Sequence, residues 1–132
     1  MTISVIGVLV SISVFGLQGA RESARDSRRK ADLETLRSAM ELYRSDCGVY
    51  PPSVTFGGTL NGLSGNSSCQ ANTYLDQVPD DPGDANYYYN RTSNTTYVLC
   101  ASLEASTTTS GPVGSCGGCG SGYPCEYAIT DP

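Results

Sequence analysis

The chain has 132 residues and a mass of 13.9 kDa, enough for one domain of ordinary size. It contains neither histidine nor tryptophan, so a Ser-His-Asp triad, an HExxH zinc site and a Cys/His nucleophile pair are all excluded. The formal charge of −5 is unevenly spread: residues 21–30 hold five basic and two acidic side chains, residues 45–132 one basic and eight acidic, so the body repels polyphosphate and nucleic acid is not an expected partner.

Residues 1–20 carry no charge. Within them Ile3, Val5, Ile6, Gly7, Val8, Leu9, Val10, Ile12, Val14, Phe15 and Leu17 form an apolar stem. Twenty residues at 1.5 Å each make a helix of about 30 Å, the thickness of a bilayer core. One small domain cannot bury a helix that is apolar all round, so a transmembrane segment fits better than a core helix. A secretory signal would open on basic residues and end at a cleavable small-residue site, whereas this chain opens Met-Thr. The basic residues Arg21, Arg25, Arg28, Arg29 and Lys30 follow the stem directly, and the positive-inside rule would hold them in the cytoplasm. The cysteines described below point to an oxidising compartment instead. Both hold if a more basic leader precedes residue 1, so the N-terminus is expected to be incomplete.

Residues 21–48 read as the amphipathic second half of the same helix. Asp26 with Lys30, Arg28 with Asp32, Lys30 with Glu34 and Arg37 with Glu41 are opposite charges at helical spacing. Leu33, Leu36, Met40 and Tyr43 form a stripe at spacings of three and four that marks one face for burial on a sheet. Gly48, Pro51 and Pro52 end the helix, predicting a continuous rod about 70 Å long that overhangs any head this chain can build. Residues 49–132 are the head: a polar loop over 49–86, a hairpin over 87–104 with a turn at Ser93-Asn94, a low-complexity loop over 105–122 and a last strand over 123–130. The fold class is α+β, one long helix packed on a small antiparallel sheet of three or four strands.

Six cysteines, Cys47, Cys69, Cys100, Cys116, Cys119 and Cys125, read as a disulfide framework of an exported head. Cys69 is placed to tie its loop back to Cys47, and the last four allow three pairing schemes. Cys116-Gly-Gly-Cys119 has the CxxC spacing of thiol oxidoreductases, but no basic residue after Arg91 is there to stabilise a thiolate. A zinc knuckle on Cys100, Cys116, Cys119 and Cys125 is a second alternative. Asp80, Asp81 and Asp84 could chelate a hard cation and are a weak metal candidate, a proline-bracketed acidic turn being the plainer reading. No cofactor is expected. Tyr87, Tyr88 and Tyr89 could form an adhesive patch, although in a strand at least one must face inward. The basic cluster could bind phosphate, but interleaved Glu22 and Asp26 favour a solvated or intersubunit face. Asn66, Asn90 and Asn94 lie in N-x-[ST] patterns that a Ser/Thr-rich chain produces by chance.

The runs ISVIGVLVSISVFGL, GARESARDSRRKADLETLRSAMELYRSDCGVYP, YLDQVPDDP, and YYY followed by YVLCASLE occur in an order that resembles the type IV pilin and type II secretion pseudopilin family, closest to the major pseudopilin and related small pilins. The resemblance implies a lollipop fold and a non-enzymatic subunit. Its stem is held in the inner membrane and then packs with copies of itself into a helical filament, at the cell surface or spanning the periplasm, driven by an inner-membrane assembly machinery. It leaves the filament's role, from motility to DNA uptake, open; a membrane-tethered adhesin that does not polymerise is the alternative. Two departures stand out. The family places a glutamate four residues after a methylated N-terminal phenylalanine, whereas no acid precedes Glu22 here, so that about seven residues and a leader are expected before Met1. The family's major pseudopilins hold calcium in the loop before the last strand, whereas Ala105–Gly122 contains no carboxylate.

Overall fold

The structure, a computed structural model, describes residues 2–132. α1 runs Thr2–Cys47 as one unbroken helix of 46 residues. It stops where Gly48 turns to φ +78° and donates its N–H to the Arg44 carbonyl at 2.8 Å, a left-handed cap that a residue with a Cβ makes only at a cost. The head follows as two antiparallel sheets. β1 (Leu60–Asn61) pairs with β2 (Thr73–Leu75), and β3 (Tyr88–Ser93), β4 (Thr96–Ala101) and β5 (Tyr127–Thr130) form the second sheet in that spatial order.

The α+β architecture is therefore one long helix on two small sheets of two and three strands, pinned by disulfides. The β1–β2 pair lies inside a segment read as loop, because strands of two and three residues carry too little alternation to be seen. It is held from outside the strands. Cys47–Cys69 ties the segment to the end of α1, and Gly62 passes so close to the chain that an added Cβ would sit 1.8 Å from the Cys69 carbonyl oxygen. The hairpin turn falls at Asn94-Thr95, one residue later than expected, since Ser93 pairs with Thr96. The last strand begins at Tyr127 rather than Tyr123. Pro124 has no N–H to give a ladder, and Cys125 is committed to Cys119.

The core lies where the second half of α1 meets the sheet. Leu33, Leu36, Met40 and Tyr43 are buried against Tyr97, Leu99 and Ala101 of β4, with Tyr50, Val78 and Tyr87 closing the sides. The alternate residues of β4, Val98 and Cys100, are buried as well, beside Ala128 of β5 and under Cys119 and the 105–126 loop. β4 is thus covered on both faces, by the helix on one and by a cystine-tethered loop on the other.

A candidate assembly stem and its charged collar

From Ile3 to Ala20 no residue of α1 is buried; Ile3 is 85% and Phe15 83% exposed. The stem is long and apolar enough to cross a membrane. Its polar atoms do not spoil that surface, because the hydroxyls of Ser11 and Ser13 donate back to the carbonyls of Gly7 at 2.8 Å and Leu9 at 2.9 Å. Gly7, Gly16 and Gly19 are open notches, with nothing within 4 Å of an added Cβ. Such notches let another helix approach closely. Every predicted stem residue from Ile3 to Leu17 lies on this uncovered segment.

Below the core, α1 is fastened to the head by charge. The Arg29 side chain is 1% exposed and donates to both oxygens of Asp81 at 2.7 and 2.9 Å, to Asp26 Oδ1 at 2.9 Å, and lies 2.8 Å from Glu104 Oε1. Asp26 also accepts the backbone N–H groups of Glu104 at 2.9 Å and Ala105 at 2.8 Å, where the chain leaves the sheet. Arg25 forms a two-pronged pair with the Glu104 carboxylate. The hydrogen bonds it donates to Asp81 hold the Arg29 guanidinium above its ordinary value, and those donated by Arg25, with Arg29 adding to them, hold the Glu104 carboxyl down to about 2. Two of the five basic residues, the buried Arg29 and the half-buried Arg25, are therefore committed to the head's own carboxylates. A charge with three carboxylates around it positions the stem; it does not recruit phosphate.

These contacts displace most of the expected helical pairs. Only Arg28–Asp32 forms as drawn, at 3.7 Å; Asp26 goes to Arg29, Glu34 to Arg37, Glu41 accepts from the Tyr50 hydroxyl at 2.7 Å, and Lys30 sits 5.5 Å over the Tyr127 ring. Asp32 in turn accepts the Tyr87 hydroxyl at 2.7 Å, and burial, with that bond, raises the Tyr87 pKa. Tertiary partners win because an exposed helical pair is worth only about 0.2–0.5 kcal/mol.

The remaining candidates fall apart from one another. Of Asp80, Asp81 and Asp84, Asp81 is consumed by Arg29 and the Gly83 N–H, Asp80 accepts the Asp81 N–H at 3.0 Å, and Asp84 is exposed. All six cysteines are oxidised, as Cys47–Cys69, Cys100–Cys116 and Cys119–Cys125. Cys116 and Cys119 are thus not each other's partners. The Cys100, Cys116 and Cys125 sulfurs lie within 4.8 Å of one another but offer no thiolate to zinc. The three tyrosines do not form a patch: Tyr87 is buried, Tyr89 donates to the Pro51 carbonyl at 2.6 Å, and an added Cβ at Gly117 would fall 2.7 Å from the Tyr88 ring. The loop before β5 does not fit calcium either. A hard cation wants six to eight oxygens, several of them carboxylate. Ala105–Gly122 has none, and Glu126 accepts the Leu103 N–H at 2.8 Å and the Ser102 hydroxyl at 3.3 Å.

A family model described as "Type II secretion system (T2SS), protein G" matches residues 17–113, from the end of the stem through β4 and into the cystine loop. A type II secretion system core protein G of Escherichia coli (strain K12) is 30% identical over 93 residues, which are 66% of this chain and 63% of that protein. Its counterpart in Pectobacterium carotovorum subsp. carotovorum is 31% identical over 94 residues, 66% of this chain and 58% of that one. A third, of Vibrio cholerae serotype O1 (strain ATCC 39315 / El Tor Inaba N16961), is 26% identical over 98 residues, 67% and 63% respectively. The matched segment spans about three-fifths of these relatives' length. No solved structure matches the chain. The matched residues include the collar, the knot around Arg29, the helix face on the sheet and the β3–β4 hairpin, and with that coverage the chain belongs to the type II secretion protein G family.

Proposed function

We propose that this chain is a non-enzymatic structural subunit that polymerises through its N-terminal helix into a type II secretion or type IV pilus-like filament. The observation that carries the reading is the bare stem: eighteen successive residues, Ile3 to Ala20, without a buried side chain, on a helix whose other half is locked to a folded head. Apolar surface of that extent has to be covered, by lipid or by protein. Lipid serves for a single subunit held in the inner membrane. Copies of the same stem serve in an assembly, where a repeated head-to-tail contact that does not close generates a helix. The partners of the reading are the chain itself and an inner-membrane assembly machinery, and the product stands at the cell surface or across the periplasm.

The test is electron microscopy of material sheared from cells that express the chain with its secretion machinery. Fibres labelled by antibody to the head are the expected result. Head antigen fixed to the envelope without fibres would favour a tethered adhesin and overturn the reading.

A further inference from the structure

The base of the head holds a cleft of about 400 Å³ that the subunit's own fold leaves open, lined by Arg25, Arg29, Gly83, Asp84, Glu104 and Tyr123. Arg29 is held by Asp26, Asp81 and Glu104 and Arg25 by Glu104, while Asp84 has no ion pair or hydrogen bond among the described residues. The lining itself carries two guanidiniums and two carboxylates, but Asp26 and Asp81 stand behind Arg29 and neutralise it, so Asp84 is the charge left to take a further cation. The Tyr123 ring is 37% exposed at the rim, and an aromatic face beside a free carboxylate suits a guanidinium better than a hydrated metal ion. Gly83 keeps the floor open, since an added Cβ would approach Arg29 Nη2 to 3.0 Å.

The same chain displays such a cation. Arg28 reaches Asp32 and Lys30 lies over Tyr127, but Arg21 is exposed and has no partner among the described residues. We infer that the cleft receives Arg21 of a neighbouring copy, which pairs with Asp84 and stacks on Tyr123. The inference rests on polymerisation through the stem and specifies the contact that sets its register. Arg21 lies four to eight residues before the cleft's own Arg25 and Arg29, so a parallel neighbour offset by about 6–12 Å along the helix brings its Arg21 level with the cleft.

The experiment uses the full chain in filament-producing cells, with Tyr123 replaced by photoreactive benzoylphenylalanine. Irradiated filaments are expected to yield dimers whose cross-linked peptide contains Arg21. Independently, Arg21→Asp and Asp84→Arg are each expected to lower filament yield about fivefold, as for loss of one accessible ion pair, and the double exchange to restore it. Normal filaments whose cross-links map elsewhere, or a double exchange no better than the single variants, would overturn the contact while leaving polymerisation standing. Absence of fibres from the unaltered chain would overturn both.

Discussion

At the scale of single residues, the buried cation Arg29 fixes how the rod meets the head. Taking a guanidinium and its carboxylates out of water is expensive, and the cost is met only while all partners are present. Arg29→Ala would leave Asp26, Asp81 and Glu104 facing one another, so it is expected to destabilise the head by about 3–5 kcal/mol, read by denaturant unfolding of the detergent-solubilised chain. Glu104 adds a pH signature. Its carboxyl titrates near 2 in the folded head against an ordinary 4.5, so its contribution is complete above 4.5 and disappears as pH falls towards 2. A shift of that size is about 3 kcal/mol by linkage, and about 1–2 once solvent screening of its 28% exposed side chain is allowed for. Unfolding measured from pH 6 down to pH 2.5 is expected to lose that part of its acid sensitivity in Glu104→Gln; an unchanged slope would refute the assignment. Half of this knot was legible. Arg29 and Asp26 stand four and seven positions before Leu33, on the same stripe, so the buried face could have been read as continuing through charged residues. Asp81 and Glu104 belong to distant segments, 52 positions from Arg29 and 79 from Arg25, and no local periodicity reports them.

At the scale of elements, α1 and the hairpin were readable because their patterns repeat over enough residues to exceed chance. The stripe at spacings of three and four names the helix face, and a glycine with following prolines names its end. The alternation in β4 is also plain in the sequence, but which set of side chains faces the helix is not, because both sets are buried. What covers the second set is the 105–126 loop, whose composition gives no pattern and whose position is set by bonds. Cys100–Cys116 ties it down over β4 and Cys119–Cys125 closes its end, across sequence separations of 16 and 6 residues. The head is therefore expected to depend on redox state and not on calcium. Reduction by dithiothreitol should destabilise it by about 2–4 kcal/mol per bridge lost, followed as a fall in melting temperature, while a calcium chelator should leave the melting temperature unchanged. Cys100→Ala with Cys116→Ala should reproduce part of the loss without reductant. A chelator-induced fall would show that oxygen ligands, and not sulfur bridges, hold the loop.

At the scale of the whole molecule, the chain is two materials joined at a collar. The head is a small acidic body with its core at one end of the rod; the stem is a helix with no core of its own. Neither half explains the other. The head is folded without using Ile3 to Ala20, so selection for a stable head does not account for eighteen residues of uncovered helix, which call for cover from outside the subunit. Assembly and folding are therefore expected to be separable: damage to the stem should stop assembly and spare the fold. The direct measurement is filament yield, by electron microscopy of sheared material, from cells carrying Val10→Asp or Gly7→Asp, with melting of the purified variant in detergent as the control. A carboxylate in the middle of a packed apolar bundle costs about 2–3 kcal/mol or more in every subunit, so fibres are expected to vanish while head melting stays unchanged. Fibres at normal yield from either variant would contradict assembly through the stem.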